Sequence, residues 1–438
     1  MLNSSFNFYF SSLTFQTFCK MSYWFHRNPL KGTAVQKFEI DLFAHAPEAI
    51  KILGDLRQSR ARLLELLVDP NHTTDQVNSA LKLYMALARG LILQPGDEAA
   101  ASKLCKSLTY RWSNSLLDGV SVSKDAVFEI GSMLMNTAFW FMKHAVAIAV
   151  REKVEMEDAK EVHSCLRKAA GLLQFIQDNL LAQLTEKAVE GGDLDGKVVS
   201  AYLYQCTAEA QEVTIARAID LRHNPILISA LANETSQMFT NAANCLNPLN
   251  FESFKRWKSY FLLKAKFYKA YSFNFQGEAL LSQDKCGDAI RSLRESKSMY
   301  AKARELAVEY AKFKGKGTQA KPERHSFFTR LLPILDRTLE KCERENGFIY
   351  HQKVPFDPVE LEINEKTHGL VTPDQYEMPT VSPLWTTMAY AAFDGSNLKK
   401  ENKSKAERKE EEEVKPVKEV PIQDSETKHA SESGCIIS

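Results

Sequence analysis

The chain has 438 residues, 44% of them apolar, with 56 Lys plus Arg against 55 Asp plus Glu and a formal net charge of +1. That length and apolar share suffice for one large core or two smaller ones. The even charge balance, with no basic cluster interleaved with aromatics, argues against nucleic acid, whose binding is driven mainly by phosphate neutralisation.

Residues 1–20 are rich in Phe and Ser and lack an early basic region, so they make a poor signal peptide. They are expected to be a disordered extension, with Met21 opening a more ordinary globular sequence. Trp24 to Pro29 and Gly32 to Phe43 hold short extended-looking pieces such as Lys37-Phe38-Glu39-Ile40. From about Ile50 to Asn346 the apolar spacing is helical. Leu56, Arg60, Leu63, Leu64 and Leu67 form one stripe, stopped by Asp69-Pro70. Met133 to Val150 is the most apolar stretch, but Asn136, Lys143 and His144 interrupt it. A bilayer span needs about 20 mostly apolar residues with few charges, so a buried core helix is expected. Val162, Cys165, Leu166, Ala169, Leu173, Ile176 and Leu180 make a further helical face that ends before Gly191-Gly192. Asn224-Pro225 is a helix start, a capping side chain followed by a residue whose missing N–H costs nothing there.

Long helices joined by modest loops predict stacked hairpins. Tyr268, Ala270, Tyr271, Gly277, Ala279, Leu280, Cys286, Gly287, Ala289, Ile290, Leu293, Ala301 and Ala303 resemble a tetratricopeptide-type hairpin, small residues facing large ones. The repeat is not sustained, so the middle reads as solenoid-like rather than as a regular array. After Asn346 five prolines fall between Val354 and Pro383, too many for helix. Phe348, Ile349, Tyr350, Leu361, Leu370 and Trp385 predict a segment packed in extended form along the helices. Residues 396–434 have no aromatics and alternate Lys with Glu, the composition of a flexible charged tether.

The chain ends Cys435-Ile436-Ile437-Ser438, a prenylation motif whose terminal Ser favours farnesyl. One lipid chain binds membranes only marginally, so a second signal is required. The lysines from Lys399 to Lys409 are cancelled by the acidic run after them, which leaves a membrane-bound protein partner as that signal.

Templates for catalysis are missing. The sequence shows no nucleophile elbow and no phosphate-binding P-loop, and Gly315-Lys316-Gly317-Thr318 reads as a solvated turn. Eight cysteines form no Cys-x-x-Cys pair and ten histidines no His-Glu-x-x-His pair, so no metal is expected. The chain is read as a non-enzyme without a small-molecule substrate or cofactor, its one added group a covalent farnesyl on Cys435. In the helix opening at Pro225, apolar residues go nearly around the circumference. Either it is buried on all sides, or Leu227 and Leu231, one turn apart, present an exposed strip to an amphipathic helix.

Trp24-Phe25-His26-Arg27-Asn28-Pro29-Leu30-Lys31, Ala208-Glu209-Ala210-Gln211-Glu212-Val213, Asp284-Lys285-Cys286-Gly287 and Asn346-Gly347-Phe348-Ile349-Tyr350 together resemble the BRO domain of the ALIX family, over residues 21–395. The resemblance implies a curved, banana-shaped, mainly α domain with tetratricopeptide-like hairpins and a small β-sheet near its start. It also implies a ligand on the concave face, the C-terminal amphipathic helix of ESCRT-III charged multivesicular body proteins, at endosomal or nuclear-envelope membranes. Leu227, Leu231 and Leu370 fall at the family's apolar contacts and Lys160 at its basic one. Glu157 lies beside the acidic position, which Met156 occupies, and Thr214 stands where some members carry an exposed aromatic. The rival reading is a prenylated helical scaffold for another trafficking or cytoskeletal partner, which predicts no loss of partner when Leu227 is made charged.

Overall fold

The computed structural model describes residues 23–38, 46–151, 154–361, 370–393 and 413–422. Its elements run α1 (Pro47–Val68), α2 (Thr74–Ile92), β1 (Leu93–Gln94), β2 (Asp97–Ala101), β3 (Tyr110–Ser113), β4 (Val120–Ser123), α3 (Ala126–Ala149) and α4 (Met156–Phe175). Then come α5 (Gly196–Asp220), α6 (Pro225–Cys245), α7 (Lys255–Ser282), α8 (Cys286–Lys312), α9 (Ser326–Thr329), α10 (Leu331–Glu345) and α11 (Thr387–Ala391). Each long helix from α1 to α8 packs on its neighbour in sequence, and α10 returns onto α8. The mainly helical expectation holds. Asn224 caps α6 by accepting from the Ile226 N–H at 2.9 Å, and Pro225 is its first residue, as the sequence required. Between α7 and α8 a Cβ on Gly277 would lie 2.7 Å from Leu293, the small-to-large contact of a tetratricopeptide-type hairpin.

The strands form two antiparallel hairpins, β1–β2 and β3–β4, between α2 and α3. The small sheet is therefore not built from the extended pieces upstream. Residues 32–34 of those pieces lie against it, through a Thr33–Trp112 bridge and the Ser113 N–H donated to the Gly32 carbonyl at 2.8 Å, while residues 39–43 lie outside the described residues.

Helix α3 is buried on nearly every side, and among the described residues no helix is long and apolar enough to cross a membrane. Its three polar interruptions are docking points for neighbouring chain. Asn136 brackets the backbone of Lys31, accepting its N–H at 2.8 Å and donating to its carbonyl at 2.9 Å. The His144 Nδ1 meets the Pro70 carbonyl at 2.6 Å, and Lys143 pairs with Glu419.

The segment from Tyr23 to Lys31 is threaded through the core. Arg27 forms an ion pair with Glu209 at 2.8 Å, and the Tyr260 hydroxyl donates to the same carboxylate at 2.7 Å. Lys264 donates to both oxygens of Glu212 at 2.9 and 3.0 Å, with neither group reached by solvent. Buried charges persist only when paired and hydrogen-bonded, which is what these two do. The turn at Gly315–Thr318 is not simply solvated, contrary to expectation. Arg27 donates its N–H to the Thr318 hydroxyl at 2.7 Å, and Thr318 returns its own N–H to the Arg27 carbonyl at 2.8 Å. Gly317 also lies tight against His26, Arg27 and Asn28, so the turn clasps the N-terminal segment.

Two expectations about the C-terminal region change. Residues 351–361 and 370–385 form neither helix nor strand, bending at 356–357 and turning at 383–384, and Trp385 fills the space above Gly90 and donates its indole N–H to the Leu87 carbonyl at 2.8 Å. Phe348 and Ile349, however, sit on a wide turn after α10 and face solvent, 82% and 67% exposed. Residues 413–422, expected to be part of a free tether, lie extended on the body, because this stretch carries Val417 to pack on the core and Glu419 to meet Lys143. The proposed prenylation site Cys435 and residues 1–20 lie outside the described residues.

Candidate partner-binding surface

The outer face of α4 begins with a fixed first turn. Glu155 donates its backbone N–H to the Asp158 carboxylate at 3.0 Å, and Asp158 also pairs with Arg151 at 2.6 Å. Glu157 and Lys160, one turn apart, form an exposed ion pair of 2.7 Å. Exposed pairs of this kind contribute under about 1 kcal/mol, so an acidic ligand can take Lys160 over cheaply. The structure thus brings these two predicted residues together, with Met156 exposed beside them.

A turn further along α4, the His163 Nε2 lies 3.4 Å from the Thr214 hydroxyl on α5. Burial, followed by the neighbouring Arg167, holds this imidazole below its ordinary pKa. The next turn binds the extended C-terminal segment. Arg167 donates to the Thr372 carbonyl at 2.9 Å and pairs with Asp374 at 2.6 Å. Its own carbonyl accepts the Asp374 N–H at 3.1 Å. Gln211 on α5 accepts the Val371 N–H at 2.8 Å, and a Cβ on Gly171 would collide with the Asp374 carbonyl. Leu370 is thereby set, half-buried and packed on the core, next to the point where Val371 meets Gln211 on α5, the helix that also carries Thr214.

Leu227 is half-buried on the first turn of α6 and packs on the main core. Leu231, one turn later, is 2% exposed. The expected strip of two leucines does not exist in this conformation: α6 lies between α5 and α7, and Leu231 faces inward. The exposed apolar residues nearby are Ile226, in the same turn, and Leu221, at the end of α5. Among the described residues no hydrogen bond or ion pair joins α6 to Leu370 or Lys160, and the link between them runs through α5.

Arg167, Gln211, His163 and Gly171 are the residues that sequence reading missed. Gly171 was the available signal, since glycine is unfavourable in a helix interior and permits a close approach by another backbone. One trio among the described residues, His144, Glu161 and Cys165, brings potential metal-ligand atoms within 4.8 Å of one another. Its geometry is met within the protein: His144 lies 3.7 Å from Glu161, and the Cys165 thiol donates to the same carboxylate at 3.7 Å.

A family model described as BRO1-like domain matches residues 46–393. The BRO1 domain-containing protein BROX of Danio rerio is 42% identical over 418 residues, 95% of this chain and 100% of that protein. The human protein of the same name is 44% identical over 375 residues, covering 85% of this chain and 91% of its own. Among solved structures, one titled ALIX BRO1 CHMP4C complex matches with a TM-score of 0.61 at 17% identity, over 82% of this chain and 97% of that one. Such low identity speaks for the fold alone, whereas the relatives above 40% and the matched residues speak for descent. This chain belongs to the BRO1-domain family.

Proposed function

We propose that this protein is a non-enzymatic adaptor that binds the C-terminal amphipathic helix of an ESCRT-III charged multivesicular body protein. The observation that carries this reading is the fastening of Leu370–Asp374 to α4 and α5. It sets a half-buried leucine beside α4 and α5, with the weakly committed Lys160 two turns before Arg167 on the same α4. Amphipathic helices dock through apolar anchors and complementary charge. The BRO1 structure titled with CHMP4C, which shares this fold, supports a partner of that class. Leu370, Leu227, Lys160 and Glu157 are the proposed contacts, and Leu231 belongs to the core beneath α6.

A farnesyl group on Cys435 supplies the second half of the mechanism, at endosomal or nuclear-envelope membranes. Weak lipid insertion and a moderate helix contact on one chain raise each other's effective concentration, so recruitment is strong only where both targets coincide. The test is a titration of the full chain with an ESCRT-III C-terminal helix peptide, beside Leu370→Asp and Lys160→Glu. Binding that both substitutions weaken at unchanged thermal stability supports the reading. Absence of binding by the folded wild type removes it.

A further inference from the structure

The segment Glu413–Ile422 is held by three separate parts of the body. Glu419 accepts the Leu30 N–H at 2.7 Å with one carboxylate oxygen, and its other oxygen pairs with Lys143 on α3. Val420 donates its N–H to the Val68 carbonyl at the end of α1, at 3.1 Å. Lys415 passes so close to Gly32 that any Cβ there would strike its carbonyl oxygen. Val414, Val417, Glu419 and Ile422 turn toward the body, while Lys415 and Lys418 face solvent. Pro416 and Pro421 flank the central residues and favour the extended form that the contacts require.

Each partner on the body side would be left wanting if this segment departed. Lys143 is 8% exposed, and among the described residues Glu419 is the carboxylate that pairs with it. An emptied site would leave a desolvated ammonium near the Arg27 guanidinium. The Leu30 N–H would lose its acceptor, and unpaired backbone donors are rarely left buried.

We propose that Leu30, Gly32, Val68 and Lys143 form a peptide-binding seat whose resident ligand is the chain's own Val417-Lys418-Glu419-Val420. Recognition combines one backbone hydrogen bond, a required glycine and a carboxylate read at the same time by a backbone N–H and a lysine. The seat therefore selects an extended peptide with an acidic residue between apolar ones. The inference stands apart from any ESCRT-III or membrane contact, because every group in it belongs to the described body and tail.

Hydrogen exchange on the full chain, without lipid or partner, tests it. The Val420 and Leu30 amides should exchange at least tenfold more slowly than in Glu419→Lys. The double variant Lys143→Glu with Glu419→Lys should recover part of that protection. Glu419 is half-buried, and Glu419→Gln, which keeps an acceptor for the Leu30 N–H, serves as the mild control, with intermediate protection. Wild-type Val420 exchanging as fast as the isolated 411–424 peptide would overturn the proposal. So would protection indifferent to Glu419→Lys, or protection that rises with protein concentration, which would make a second copy the occupant.

Discussion

Gly171 in α4 leaves room for the backbone of Asp374, whose carbonyl oxygen occupies the space a side chain on that glycine would take. The extended segment can fasten to the helix only because this position has no Cβ. Gly171→Val should displace residues 370–374, releasing the Val371 and Asp374 amides to exchange and weakening helix-peptide binding at least tenfold. The hydrogen bonds lost are worth about 0.5–1.5 kcal/mol each, so global stability should fall by only a few kcal/mol. Binding unaffected in a variant whose segment has lifted would remove Leu370 from the proposed surface.

Leu227 and Leu231 should separate in their effects. Leu231→Ala empties core volume and should cost about 2–5 kcal/mol in denaturant unfolding. Leu227→Asp, on a half-buried residue, should cost under about 2 kcal/mol while reducing peptide affinity. Paired unfolding and binding curves check this. A Leu231→Ala variant of wild-type stability that has lost its partner would mean that α6 turns outward on binding.

The pair Arg60 and Glu129 gives a buried-charge prediction. Arg60 donates to Glu129 at 2.8 Å, and Tyr84 and Trp112 donate to the same carboxylate at 2.8 and 2.6 Å. Arg60→Met leaves that carboxylate short of its counter-charge and should cost about 3–5 kcal/mol. Adding Glu129→Gln should recover part of the loss, measured as a double-mutant cycle.

His26 contributes a pH dependence. Its ring lies between the Tyr310 hydroxyl and Asn28, both at 2.9 Å, and burial lowers its pKa from 6.5 to about 3. In the folded protein it stays neutral while the unfolded chain takes up a proton below pH 6.5. The unfolded state then binds more protons, so this group removes stability as pH falls from 6.5 toward 3. Burial acts oppositely on Glu212, raising its carboxyl, so the comparison must be with His26→Gln. That variant should be less stable at pH 7 and show a shallower fall in Tm on acidification. Parallel Tm profiles would show that folding does not lower the His26 pKa.

The helical order, the Asn224 cap of α6 and the α7–α8 hairpin were legible because they depend on local spacing. The polar interruptions of α3 were visible too, but their meaning was not. Asn136 and Lys143 answer segments 105 and 276 residues away in sequence, and spacing within a helix carries no trace of such partners. Arg60 could be placed on the stripe of α1, yet that it buries a charge depends on Glu129 and Tyr84. Leu231 was misjudged for the converse reason. An all-round apolar helix does not say which side its neighbours cover, and α5 and α7 cover that one. In the charged tail the average composition concealed four inward-facing residues, Val414, Val417, Glu419 and Ile422, among solvated ones.

The fastening of residues 413–422 also changes the length of the leash. Cys435 follows Phe393 by 42 residues but Ile422 by only 13. At roughly 3.5 Å per fully extended residue, the first count would let that cysteine travel up to about 150 Å, the second about 45 Å. Its point of departure also moves, from the end of α11 to the neighbourhood of α1 and α3. A group carried on Cys435 would thus stay within about 45 Å of that edge, whichever way the earlier residues run.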